Sequence, residues 1–181
     1  MDERTKNINY VFIKEDYFIK NSKFTKMLDP GNEKKQSKRG YLFIELEYEN
    51  NKIYVPLRNN LGPENRPFGK IGFQVPSSER PDAGLDYRYI LIVNDNSFIE
   101  QVETQKIPNS QYNIIFNNYE TICNEVISYI EKFVKVAIKN RIDKEALFRE
   151  SSLINFTKEL KIDEKRLEKE TTSSQKAKNL S

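Results

Sequence analysis

The sequence predicts an α+β fold, with an antiparallel sheet built from the first half of the chain and helices supplied by the second. Two observations predict it. Period-two alternation marks residues 8–14 and again 40–58, where two runs flank a short polar turn. From Pro108 onward, apolar residues recur every three or four positions instead.

Residues 8–14, INYVFIK, read as the first strand. EDYFIKNSKFTKML, residues 15–28, reads as a short helix or an irregular segment that carries Tyr17. DPGNEKKQSKR, residues 29–39, reads as a polar, basic loop opened by Pro30-Gly31. A hairpin follows. Leu42, Ile44, Leu46 and Tyr48 share one face, as do Ile53, Val55 and Leu57. A two-residue turn at Asn50-Asn51 suits the left-handed conformation that Asn tolerates. That register pairs Tyr48 with Ile53, Leu46 with Val55 and Ile44 with Leu57, and places Phe43 opposite Arg58.

Residues 60–84 are rich in Pro, Gly and Asn, with a short strand at 70–75. YRYILIV, residues 87–93, reads as a central strand because its second half is continuously apolar. Residues 97–103 read as a short strand or a helical turn. Ile115, Tyr119, Ile122, Val126, Ile130, Phe133 and Ala137 then predict one long amphipathic helix over about 110–139. A second helix starts near Asp143 and runs with breaks toward Glu170. The expected organisation is a single domain over residues 1–165 and a disordered polar tail over 166–181.

Composition narrows the chemistry. The chain has 181 residues, 37% hydrophobic and 31% charged, and its ten Tyr and eleven Phe must supply much of the core. A net charge of +3 is too small to mark a nucleic-acid binder, so any phosphate site must come from local clustering. One cysteine, Cys123, excludes a disulfide framework and fits a reducing, cytoplasmic compartment. It falls beside the apolar stripe of the long helix and reads as a structural thiol. No apolar run reaches the roughly 20 residues of a membrane span, and the start MDERTKNIN does not read as a signal peptide. Histidine is absent, which removes the usual general base, the usual metal ligand and every His-dependent triad. Glu45, Glu47 and Glu49 alternate on one strand and read as solvent-facing, so no metal site and no cofactor are expected.

The informative cluster lies at the open end of the hairpin. Lys38 and Arg39 enter it, and Arg58, Asn59 and Asn60 leave it. Cations and amides around one spot can hold a phosphodiester and stabilise its transition-state charge. The same residues also read as a solvated basic loop beside a strand end. Tyr17 reads either as a phosphate or base contact or as a core tyrosine. Asp86, in GLDY, reads either as the carboxylate that orients Arg39 or Arg58 or as a turn cap.

Four stretches carry a family resemblance: YVFIKEDYF, KRGYLFIELE, KIYVPLRNN and GLDYRYILIV, followed by KIPNSQYNIIFNNYETI at the start of the long helix. In order and spacing they resemble the ToxN/AbiQ superfamily of type III toxin–antitoxin endoribonucleases, most closely its TenpN-like branch. The likeness spans roughly residues 8–140. It implies a strongly bent antiparallel sheet of the Kid/MazF kind with surrounding helices. It also implies metal-independent RNA cleavage in which the RNA's own 2′-hydroxyl attacks and a 2′,3′-cyclic phosphate remains. Its implied partners are a structured antitoxin RNA made of repeats, held in a protein–RNA assembly, and cellular or phage RNA substrates. The implied biology is growth arrest during phage infection, as in abortive antiviral defence.

Carried onto this sequence, the resemblance assigns catalytic roles to Tyr17, Arg39, Arg58 and Asn59. RNA binding falls to Lys34, Lys35, Lys38, Asn60, Arg66, Asp86 and Arg88. Two positions depart from the family pattern. Arg39 stands where Lys is common, and Asn59 where Ser is usual, which points to a slow, silenced or alternatively equipped enzyme. The readings from other classes are an RNA-binding module without catalysis and a protein-interaction domain.

Overall fold

The computed structural model describes residues 8–102 and 107–178. In chain order it holds β1 (Asn9–Ile13), α1 (Glu15–Lys20), α2 (Glu33–Ser37), β2 (Gly40–Tyr48), β3 (Asn51–Arg58), β4 (Asn65–Arg66), β5 (Gly69–Lys70), β6 (Gly72–Gln74), β7 (Gly84–Asp86), β8 (Leu91–Ile92) and β9 (Ile99–Gln101). Then come α3 (Asn109–Asn117), α4 (Tyr119–Ile138) and α5 (Ile162–Lys178), with short 3₁₀ turns at 87–89, 96–98, 142–144 and 152–156. The fold is α+β, and every strand pairing is antiparallel.

The main sheet has the order β6-β7-β3-β2-β1-β9, with β8 also on β3. β3 changes partner along its length. Ile53 and Tyr54 pair with β8, whereas Leu57 and Arg58 pair with β7. Pro56, which has no N–H to give, sits between the two sets of pairings.

The hairpin forms, but its turn and register differ from the expectation. Glu49 and Asn50 take φ of +55° and +60°, and Tyr48 pairs with Asn51, so the turn lies one residue earlier. Asn51 is committed elsewhere. Its Nδ2 donates to the carbonyls of Tyr48 and Glu159, and its Oδ1 accepts from Asn94. Glu49 is held by Lys161 and Lys165 at 3.1 and 2.8 Å. An irregularity between Ile44 and Tyr48 then shifts the register, so that Ile44 meets Ile53 and Leu42 meets Val55. The shift is by an even number of residues, so the expected faces survive. The side chains of Phe43, Ile44, Glu45 and Glu47 lie outside the described residues, as do residues 1–7 and 103–106.

Three further expectations are corrected. Residues 87–93 are not one strand: a 3₁₀ turn capped by Asp86 precedes the two-residue β8. The basic segment 29–39 contains α2, capped by Asn32, whose side chain accepts from Lys35 N. The long helix is two, because Asn118 turns its Nδ2 back onto the Ile114 carbonyl and leaves helical geometry.

One more helix, α5, follows in the described residues. α5 runs to Lys178, anchored where Arg166 donates to the carbonyls of Ala137 and Ile138 at the end of α4. α4 packs Ile122, Val126, Ile130, Phe133 and Ala137 into the core. Truncating a fully buried aromatic such as Phe133 costs about 3–5 kcal/mol.

Candidate active site

The register places the two halves of the hairpin mouth face to face. Tyr41 pairs with Pro56, and the same register continued outward by two residues leads to Arg39, just before β2, and Arg58, the last residue of β3. In the expected register, side chains had to bridge about 13 Å at ~3.3 Å per residue. The observed one shortens that gap along the strands, and both arginines line one cleft.

A cleft of about 450 Å³ opens there, lined by Lys35, Lys38, Arg39, Arg58, Asn59 and Asn60. Four cations and two amides line it. This is a donor-rich site for an anion, and guanidiniums match a phosphate in shape as well as charge.

Each arginine has its own carboxylate. Arg39 donates through Nε and Nη2 to Asp29, which also takes Lys35 at 2.7 Å. Burial pushes the Asp29 carboxyl up, but the hydrogen bonds from Lys35 and Arg39 outweigh it and hold it below its ordinary value. Arg58 Nη1 donates to Asp86 Oδ2 at 2.8 Å. Asp86 is fully buried and also receives Arg88, through Nε at 2.9 Å and Nη2 at 2.8 Å. Both guanidiniums lie over Tyr89, at 5.4 and 5.5 Å from its ring centroid. Asp86 therefore meets Arg58 and Arg88, while Arg39 belongs to Asp29.

The other residues picked from sequence lie elsewhere. Tyr17 is 5% exposed, packed edge-on against Phe18, Phe24 and Phe98, with its hydroxyl donating to the Ile92 carbonyl. Burial raises its pKa, and it lines neither the cleft nor the cavity behind it. Arg66 donates to the Leu61 carbonyl, beside the small β4–β5 hairpin. Lys34, Arg66, Arg88 and Asp86 do not line the cleft.

Behind the arginines is a second cavity, of about 220 Å³. It shares Lys38, Arg39, Arg58 and Asn59 with the cleft and adds Tyr10, Arg80 and Gln111. Sequence reading did not select these three. Tyr10 reaches the site because β1 pairs with β2, its hydroxyl lying over Gly40 where any Cβ would collide with it. Burial raises the Tyr10 pKa, against the opposing field of Arg80. The presence of a glycine at the strand entry was the one available signal. Gln111, in the first turn of α3, had none.

A solved structure matches this fold with a TM-score of 0.53 and 16% identity, covering 68% of this chain and 77% of the other. It comes from work on bacterial type III toxin–antitoxin systems, in which a non-coding RNA pseudoknot selectively inhibits the toxin. The fold is that of a type III toxin. No family model matches the sequence, and no curated protein does. Among the described residues, no helix is long and apolar enough to cross a membrane.

Proposed function

We propose that the protein is the toxin of a type III toxin–antitoxin system and a metal-independent endoribonuclease. The observation that carries this reading is that Arg39 and Arg58, from the two ends of the hairpin, line one cleft with other cations and amides. The shared fold with a type III toxin supports it.

In this reading the scissile phosphate sits between Arg39 and Arg58. The RNA's 2′-hydroxyl attacks in line, the bond to the 5′ oxygen breaks, and a 2′,3′-cyclic phosphate and a 5′-hydroxyl remain. The two guanidiniums stabilise the charge that develops on the non-bridging oxygens. Asn59, with Asn60 beside it, orients the 2′-hydroxyl or a non-bridging oxygen. The protein supplies no nucleophile, which suits a chain without histidine. Asp29 and Asp86 hold the arginines in place. Tyr17 acts from behind, as part of the packing under β1 and α1. Its hydroxyl meets RNA only if it leaves Ile92.

Lys34, Lys35 and Lys38, on and beside α2, extend the positive surface for a structured antitoxin RNA, and Arg66 and Arg88 extend it on the other side. The TenpN-like placement, the protein–RNA assembly and the role in phage defence belong to the same proposal.

A second reading has one observation in its favour. Asn59 offers an amide where the resembling family usually has Ser, which fits an RNA-binding protein that cuts slowly or not at all. Incubating the protein and its Asn59→Ser variant with mixed RNA in EDTA separates the two. Cutting by both, with cyclic phosphate ends, supports the enzyme. Cutting by the Ser variant alone makes this chain the binding form. If neither cuts and no RNA is bound, both readings fall.

A further inference from the structure

Four cations line the cavity behind the arginines: Lys38, Arg39, Arg58 and Arg80. Among the described residues, no carboxylate lines it. Arg39 is offset by Asp29 and Arg58 by Asp86. Lys38 and Arg80 have no such partner among the described residues. Like charges gathered around one concave space repel each other and focus a positive field into it. An anion in the cavity relieves that repulsion.

Arg80 comes from a braced turn. Its N–H donates to the Ser77 carbonyl at 3.1 Å, and its own carbonyl accepts from Ser77 at 3.0 Å and from Ala83 at 3.2 Å. Pro81 follows and confines the Arg80 backbone further. The main chain is thus fixed while the side chain stays exposed. The Arg80 charge acts on the Tyr10 hydroxyl, opposing the rise that burial gives its pKa, so the guanidinium stands near a phenol that lines the same cavity.

The cavity and the cleft are joined through Lys38, Arg39, Arg58 and Asn59, whereas Arg80 lines the cavity alone. At about 220 Å³ the cavity is below the roughly 300–1,000 Å³ of sites for drug-sized ligands, and suits a phosphate group with its waters. Consecutive phosphates of a strand are joined through a single nucleoside. A phosphate gripped in the cleft therefore carries its neighbour toward the cavity.

We propose that Lys38 and Arg80 form a second phosphate subsite, which holds the RNA phosphate next to the one between Arg39 and Arg58. The proposal rests on the RNA reading above. It makes the substrate a strand with at least two consecutive phosphates. Binding of the second then helps to hold the first in line for attack.

The test uses the full chain and 2′-fluoro dinucleotides, which lack the attacking hydroxyl. Each is prepared plain, with a 5′-phosphate or with a 3′-phosphate, so that a phosphate is added without a further base. Affinity is read by displacement of a fluorescein-labelled 2′-fluoro oligonucleotide at fixed ionic strength. At least one phosphorylated form is expected to bind about tenfold or more tightly than the plain one, and the end that shows the gain gives the direction of the strand. In Arg80→Gln that ratio falls toward one. Lys132→Gln, at an exposed cation on α4 outside the cavity, keeps it. Equal affinities for the three forms in the unaltered protein overturn the subsite, as does a gain that survives in Arg80→Gln or falls equally in Lys132→Gln. Thermal melts check folding, and Lys38→Gln carries the same test should Arg80→Gln not fold. If the labelled oligonucleotide does not bind, or binds as tightly to the protein with Arg39→Ala and Arg58→Ala combined, the RNA reading falls and the subsite with it.

Discussion

Arg58 Nη1 donates to Asp86 Oδ2 at 2.8 Å, with Asp86 fully buried and Arg58 27% exposed. The pair is lopsided. Asp86 keeps a two-pronged bond to Arg88 if Arg58 is removed, whereas Arg58 has no second carboxylate among the described ion pairs. Asp86 is thus the hub, and Arg58 the spoke that can be cut cleanly.

Asp86→Asn is expected to lower stability by about 2–3 kcal/mol, since a buried charge network loses its anion. Arg58→Ala should cost about 1 kcal/mol or less, because it is partly exposed and leaves Asp86 satisfied. Urea unfolding of both variants checks this. A larger loss from Arg58→Ala than from Asp86→Asn would refute the hub assignment.

Asp29 gives a pH dependence with a defined sign. Its folded-state pKa is lowered, so the stability it contributes is present above its ordinary value, about 3.9, and is lost as pH falls through the lowered one. Asp29→Asn should remove that part of the acid loss. The difference in urea midpoint between about pH 7 and about pH 3 should therefore be smaller in Asp29→Asn than in the unaltered protein.

RNA affinity should fall with salt in proportion to the phosphates neutralised. Arg39→Ala and Arg58→Ala should each reduce the slope of log affinity against log salt by about 0.7 for single-stranded RNA. Arg66→Ala, outside the cleft, tests how far the electrostatic footprint extends. Slopes unchanged by both cleft variants would remove phosphate from the cleft.

Gly40 and Tyr10 should be energetically coupled. A Cβ on Gly40 would lie 1.7 Å from the Tyr10 hydroxyl oxygen. Gly40→Ala is expected to cost about 1–3 kcal/mol and to push the phenol out of the cavity behind the arginines. Tyr10→Ala should recover much of that loss in the double variant, as a double-mutant cycle would show. Additive losses would mean the two do not touch.

Much of this arrangement was legible in the sequence, and what failed did so for identifiable reasons. The stripe from Ile115 to Ala137 marked the buried face of α3 and α4 correctly, because period 3.6 survives the break at Asn118. The break itself depends on one side-chain hydrogen bond. The hairpin strands were legible from alternation. Their register was not, because the turn at Glu49-Asn50 is held by tertiary contacts from Asn51, Lys161 and Lys165 that no local pattern records. The gathering of Lys38, Arg39, Arg58, Asn59 and Asn60 tolerated that error, since the shift brought the two arginines closer in register. Arg80 and Gln111 carried no signal, and Tyr10 only that of the glycine it lies over, because each reaches the cavity from a different part of the chain and only the assembled sheet and α3 bring them together.

The central claim is that Arg39 and Arg58 together grip a phosphate that is cut without metal. The most direct measurement is cleavage of a defined RNA in EDTA by the unaltered chain, Arg39→Ala and Arg58→Ala, with product ends read by mass spectrometry. The account predicts 2′,3′-cyclic phosphate ends from the unaltered chain and loss of cleavage of roughly a hundredfold or more in each variant. Cleavage at unchanged rate in both variants would contradict it.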